Sequence, residues 1–163
     1  MPNSHDNYKR EHEKGACQDL LKALDFEYKF ERLGNDKDEA DVLFIINDKK
    51  IGIEVALAYY DEEAAIMEWK AYRKQIKGIQ IHKFMVEPDK KLIDWINKEL
   101  EDKAQKAYSG SDENWLCLDV RAPITLHEDI HNRMGEINVP TNQFARIYLL
   151  IFESGKIKYI RIK

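Results

Sequence analysis

The sequence has no hydrophobic run approaching the ~20 residues that cross a bilayer, and its opening, Met1 to Arg10, lacks the apolar core of a secretion signal. A cytoplasmic protein is therefore expected. Cysteine is almost absent. Cys17 and Cys117 both lie within apolar patterns, and a single pair is too few for a disulfide scaffold, so both are expected as reduced core residues. The seven glycines are scattered singly, which leaves no glycine-rich loop to cradle a nucleotide phosphate. Serine nucleophile elbows and Cys-x-x-Cys pairs are missing too, and these absences together set aside nucleotide-hydrolysing and dinucleotide-dependent readings. Positive charge is not in excess: the net charge of −4 argues against coating nucleic acid through bulk charge. No repeat, low-complexity segment or linker divides the 163 residues, a length that one domain accounts for.

What the chain does have is centred on Asp41 to Ala56, DVLFIINDKKIGIEVA. Two runs of β-branched and aromatic residues flank Asn47-Asp48-Lys49-Lys50, the pattern of two strands joined by a tight polar turn. With period two, Ile51, Ile53, Val55 and Leu57 share one face and Gly52, Glu54, Ala56 and Ala58 the other. Glu54 thus stands alone above small residues, where a charge is costly unless something binds it. Together with Asp41, which opens the neighbouring strand, it forms a cradle suited to a divalent cation, since hard cations want carboxylate oxygens on rigid elements. The plainer alternative is a sheet face open to water, with Glu54 solvated and Asp41 a loop-end acid.

The remainder reads as an α/β fold, a mixed sheet flanked by helices. Residues 8–24 predict a helix with Ala16, Cys17, Leu20, Leu21 and Leu24 on its inner stripe. Glu13 falls on that stripe one turn ahead of the core; otherwise it is a solvated first-turn acid favoured by the helix dipole. A strand follows over Phe26 to Leu33, then the Asp41 hairpin, then a loosely striped helix from Asp61 to Lys77 and a strand-like connector. Pro88 starts a helix expected to run to about Tyr108, with Ile93, Ile96, Leu100, Ala104 and Ala107 inward. Lys103 lies in the same stripe, whereas Lys98 and Lys106 fall off it. Trp115 to Arg121 predicts a strand, Leu126 to about Met134 a helix, and the C-terminal segment a hairpin through Glu153 to Lys156.

Two further patterns carry chemistry. No acid occurs between Trp69 and Val86, while Lys70, Arg73, Lys74 and Lys77 interleave with aromatic residues, and Lys156, Lys158, Arg161 and Lys163 follow in the last strand. Such runs are either phosphate contacts or solvated faces. His127-Glu128-Asp129-Ile130-His131 fits H-E-x-x-H, in which two histidines one turn apart hold zinc and the glutamate activates water. Against it stand the charge of Asp129 and the lack of an evident third ligand, for which Glu136 and Glu153 are candidates without distinctive spacing.

Asp41, followed after twelve residues by Glu54-Val55-Ala56, resembles the hairpin of the PD-(D/E)XK, or restriction-endonuclease-like, nuclease superfamily. The order helix, three strands, helix, strand over roughly residues 8–121 resembles its core. The resemblance implies Mg2+- or Mn2+-dependent phosphodiester hydrolysis in nucleic acid, with DNA ahead of RNA and a homodimer left open. It makes Asp41 and Glu54 metal ligands and adds the main-chain carbonyl of Val55. It also matches Glu13 to the first-helix acid that completes the site in many members. Ala56 stands where the motif has its lysine. Some members place that lysine on the second core helix, which singles out Lys103 as the third catalytic residue, ahead of Lys70 and Lys74. Two other readings stay open: a catalytically inactive binding module of the same fold, and a zinc peptidase built on His127 and His131.

Overall fold

The computed structural model describes residues 4–59, 88–121 and 127–163. The helix expected over 61–77, most of the connector after it, and Lys70, Arg73, Lys74 and Lys77 lie outside these residues. The described chain runs α1 (Ser4–Ala23), β1 (Lys29–Leu33), β2 (Val42–Ile46), β3 (Lys49–Tyr59), α2 (Pro88–Ala104) and β4 (Glu113–Arg121). It continues with α3 (His127–Asn132), a single 3-10 turn (Met134–Glu136), β5 (Arg146–Glu153) and β6 (Lys156–Arg161). The six strands form one mixed sheet in sequential order. β3, β4 and β5 are parallel, and the other pairings are antiparallel. Among the described residues the order helix, three strands, helix, strand is compatible with the one expected of a restriction-endonuclease-like core.

Each face of the sheet is covered. On one, Cys17, Leu20 and Leu21 of α1 pack on Phe44, Ile53, Val55, Trp115 and Tyr148; on the other, Leu92, Ile96 and Leu100 of α2 pack on Ala56, Leu116, Leu118 and Leu149. The alternation in β3 explains this division, because odd residues face α1 and Ala56 faces α2. Each fully buried leucine or isoleucine contributes ~1.5–3 kcal/mol. Both cysteines are free and buried in the α1 layer.

Several boundaries differ from those the sequence suggests. The β2–β3 turn is only Asn47-Asp48, both left-handed (φ 49° and 62°), so Lys49 and Lys50 belong to β3. Two left-handed residues match the right-handed twist of the flanking strands. β1 starts at Lys29 rather than Phe26, because Asp25 (φ 57°) ends α1 with paired bonds, Asp25 N–H to Lys22 O and Phe26 N–H to Leu21 O, both 3.0 Å. This closure lays Phe26 on Trp115, 5.7 Å between centroids, and delays the strand. α2 stops at Ala104 instead of near Tyr108, because Gln143 accepts from the Tyr108 N–H and donates to the Lys106 carbonyl, pulling the chain off the helical path. α3 ends at Asn132 rather than near Met134, where the chain tightens into the 3-10 turn.

Candidate active site

The position of Asp41 follows from its loop. Asn35 Oδ1 accepts from the N–H groups of Lys37, Asp38 and Glu39 at 3.0, 3.0 and 3.3 Å. Glu39 in turn takes a two-pronged bond from Arg32 at 2.6 and 2.7 Å, which holds its carboxyl down at about 2. The Gly34 N–H donates to Asp41 O at 2.9 Å. A Cβ on Gly34 would stand 1.8 Å from Ala40 O, so no other residue lets the strands approach there. With Val42 paired to Ile53, continuation of the register sets Asp41 opposite Glu54. Asp41 Oδ2 accepts the Val55 N–H at 2.8 Å.

Glu54 is 4% exposed and is not a solvated surface acid. Its Oε1 lies 2.6 Å from Lys103 Nζ, and the Lys103 side chain is itself 14% exposed. Lys106 also reaches Glu54, at 4.0 Å; helical spacing points it elsewhere, but it lies beyond the end of α2. Glu13 is buried on the inner side of α1 and pairs with Lys9 at 3.4 Å. All these side chains line one cavity of about 740 Å³, together with Tyr108 and Trp95. The Trp95 indole donates to Leu57 O at 3.1 Å, fixing one wall.

The electrostatics are those of crowded acids in a poorly hydrated place. Burial, then the charges of Glu54 and Glu13, push Asp41 up to about 7, against the opposing effects of the Val55 N–H and Lys103. Burial likewise raises Glu13, although Lys9 opposes it. Desolvation works to lower Lys103, but the charge and hydrogen bond of Glu54, joined by Asp41 and Glu99, outweigh it and hold the ammonium above its ordinary range. Tyr108 is pushed up by burial and by Glu54, yet its hydroxyl makes no hydrogen bond of proper geometry. Glu54 has its ammonium partner and Glu13 has Lys9, but among the described residues no cation forms an ion pair with Asp41.

These donors fit a hard divalent cation. Asp41 and Glu54 present carboxylate oxygens from adjoining strands, and the surplus negative charge around Asp41 is what a cation would neutralise. Among the described residues no three His, Cys, Asp or Glu side chains are grouped closely enough to hold a metal by themselves. Glu13 therefore shares the cavity without closing a three-carboxylate cage. Mg2+ does not require such a cage, since it is held by one or two carboxylates, with waters and substrate phosphates completing the octahedron.

His127 and His131 lie far along the chain on α3, their rings parallel at 6.1 Å. The His127 N–H donates to Glu153 Oε2 at 3.4 Å, and Glu153 is paired with Lys158 at 2.7 Å. Among the described residues, no third ligand joins the two histidines in a metal-holding group.

Sequence reasoning overlooked a second pair. Asp119 of β4 is buried and lies 3.1 Å from His12 Nε2, and His12 lines the Glu54 cavity beside Glu13. The signal was available: Asp119 is a lone acid in an apolar strand, the same anomaly that marks Glu54. Tyr108 was also overlooked, as a residue of an expected helix end.

No family model and no curated protein matches the chain. Among solved structures it is similar to SfsA from Pyrococcus furiosus in complex with Ca2+, at 13% identity and a TM-score of 0.30. That match covers 92% of this chain and 60% of the other, so the chain spans less than two thirds of that protein's length. A likeness this slight leaves the site to be read from its own chemistry.

Proposed function

We propose that the protein is a PD-(D/E)XK-type nuclease that hydrolyses phosphodiesters of nucleic acid with Mg2+ or Mn2+. The observation that supports this most is the lysine: Lys103, from α2, sits 2.6 Å from Glu54 in a cavity that Ala56 also lines. Asp41 and Glu54 would hold the ion, with the Val55 carbonyl and Glu13 as further oxygen donors. The ion would lower the pKa of a bound water and neutralise charge growing on the phosphate. Lys103 would steady the attacking hydroxide and the phosphoryl oxygens, as a preorganised cation in a dry site does. Asp41, near neutral in its intrinsic tendency to hold a proton, ionises fully only above about pH 7, so binding of a cation there competes with a proton.

The test is cleavage of labelled DNA and RNA oligonucleotides with Mg2+ or Mn2+, comparing wild type with Asp41→Asn, Glu54→Gln and Lys103→Met. Metal-dependent cleavage lost in all three supports the reading. Metal and nucleic-acid binding without turnover in wild type favours the inactive binding module, for which the absence of the strand lysine at Ala56 is the supporting observation.

A further inference from the structure

We propose that the Tyr108 hydroxyl is a substrate contact in this cavity, donating a hydrogen bond to a phosphoryl oxygen of the bound strand. The inference rests on the nuclease reading and extends it to a residue outside the motif. Among the described residues, three buried side-chain polar atoms have no hydrogen-bond partner: Tyr108 Oη, Trp115 Nε1 and Arg133 Nη1. Trp115 lies under the guanidinium of Arg146, 4.6 Å from its ring centre, and Arg133 stands 3.7 Å from Glu136. Of the three, only Tyr108 lines the cavity that contains Asp41, Glu54 and Lys103.

A buried hydroxyl without a partner costs ~1–3 kcal/mol, and such a group calls for an explanation in a ligand or water that completes it. The surrounding structure holds this hydroxyl in place. The Tyr108 ring packs 5.3 Å from Phe144, its N–H donates to Gln143 at 3.2 Å, and the next residue is tied to Asp38 through Ser109 N–H (2.6 Å) and Oγ (2.8 Å). The side chain therefore has little freedom to swing out and find water. An oxyanion entering the cavity would meet the ammonium groups of Lys103 and Lys106, both directed at Glu54, and beside them the hydroxyl. Donors converging on one space are the arrangement that recognises a phosphoryl group. The competing partner is Glu54, already near enough to act on the hydroxyl in this geometry; a bond there would tune metal affinity rather than substrate affinity.

Tyr108→Phe separates the two, since it keeps the ring against Phe144 and removes only the oxygen. Four quantities are read for wild type and variant: thermal stability, Mn2+ affinity by calorimetry, affinity for a labelled oligonucleotide with Ca2+ by anisotropy, and kcat/KM with Mn2+. The expected result is unchanged or higher stability, Mn2+ affinity within about twofold, weaker oligonucleotide binding, and a fall in kcat/KM of roughly 10- to 100-fold, the range of a lost oxyanion donor or somewhat below it. Equal oligonucleotide affinity and equal kcat/KM overturn the proposal. So does a loss of Mn2+ affinity that accounts for the whole loss of rate. If wild type binds the oligonucleotide but cleaves nothing, the hydrolytic reading fails, while weaker binding by Tyr108→Phe still supports the contact. Wild type that binds no oligonucleotide overturns both.

Discussion

Asp41→Asn should make the protein more stable while abolishing its proposed activity. The carboxyl has a pKa of about 7 in the fold against 3.8 when free. Between those values the folded state binds the proton and the unfolded state does not, so stability falls as pH rises from about 4 to about 7 and is level above. The difference of about 3 units corresponds to about 4 kcal/mol at 1.36 kcal/mol per unit, and hydration of a half-buried carboxyl reduces this to roughly 2–4 kcal/mol. Asparagine keeps an oxygen to accept the Val55 N–H, so the main structural bond of the side chain survives. Urea unfolding of both proteins across this pH range, without divalent metal, is the assay. The variant should be more stable by the stated amount at about pH 8, with the advantage shrinking steadily to nothing near pH 4. Saturating Mn2+ should reverse the order at high pH, because it stabilises only the form that binds it. Equal pH dependence in the two proteins would refute the claim that crowded acids strain this site.

Lys103→Met should destabilise by about 3–5 kcal/mol, since it leaves the Glu54 carboxylate buried without its ammonium. Adding Glu54→Gln should recover much of that loss, and a double-mutant cycle by urea unfolding checks it. Gly34→Ala should cost several kcal/mol or prevent folding, because the added methyl would collide with Ala40 O and the Asp41 loop would shift; expression yield and thermal melting report this. Asp119→Ala should destabilise by about 1–3 kcal/mol through loss of the buried partner of His12. Elemental analysis of untagged protein should find no stoichiometric zinc, and one zinc per chain lost in His131→Ala would favour the peptidase instead.

The parts of the site that were legible in the sequence are those governed by local repetition. Period two in β3 put Glu54 on the face opposite Ile53, and the spacing from Ile96 and Leu100 turned Lys103 inward; both placements are seen. Lys106 and Tyr108 were misread because periodicity was carried past Ala104, where bonds to Gln143 override it. The pairing of His12 with Asp119 joins residues 107 apart, and no local pattern encodes a partner at that distance. The basic residues Lys70, Arg73, Lys74 and Lys77 remain a proposal for phosphate contact.

The order in which the strands are joined has a kinetic consequence. β1, β2 and β3 are sequence neighbours linked by short connections, so Asp41 and Glu54 meet through a two-residue turn that closes within microseconds. Lys103 and Tyr108 arrive on the crossover of residues 60–112, and the parallel pairing of β3 with β4 that locks this crossover must first overcome the entropy of a long loop. During refolding the two acids are therefore assembled before their ammonium. An intermediate containing only the hairpin holds uncompensated negative charge and is shifted toward the folded state by divalent cations, so Mn2+ should speed the early phase of refolding and leave the later docking of α2 nearly unchanged.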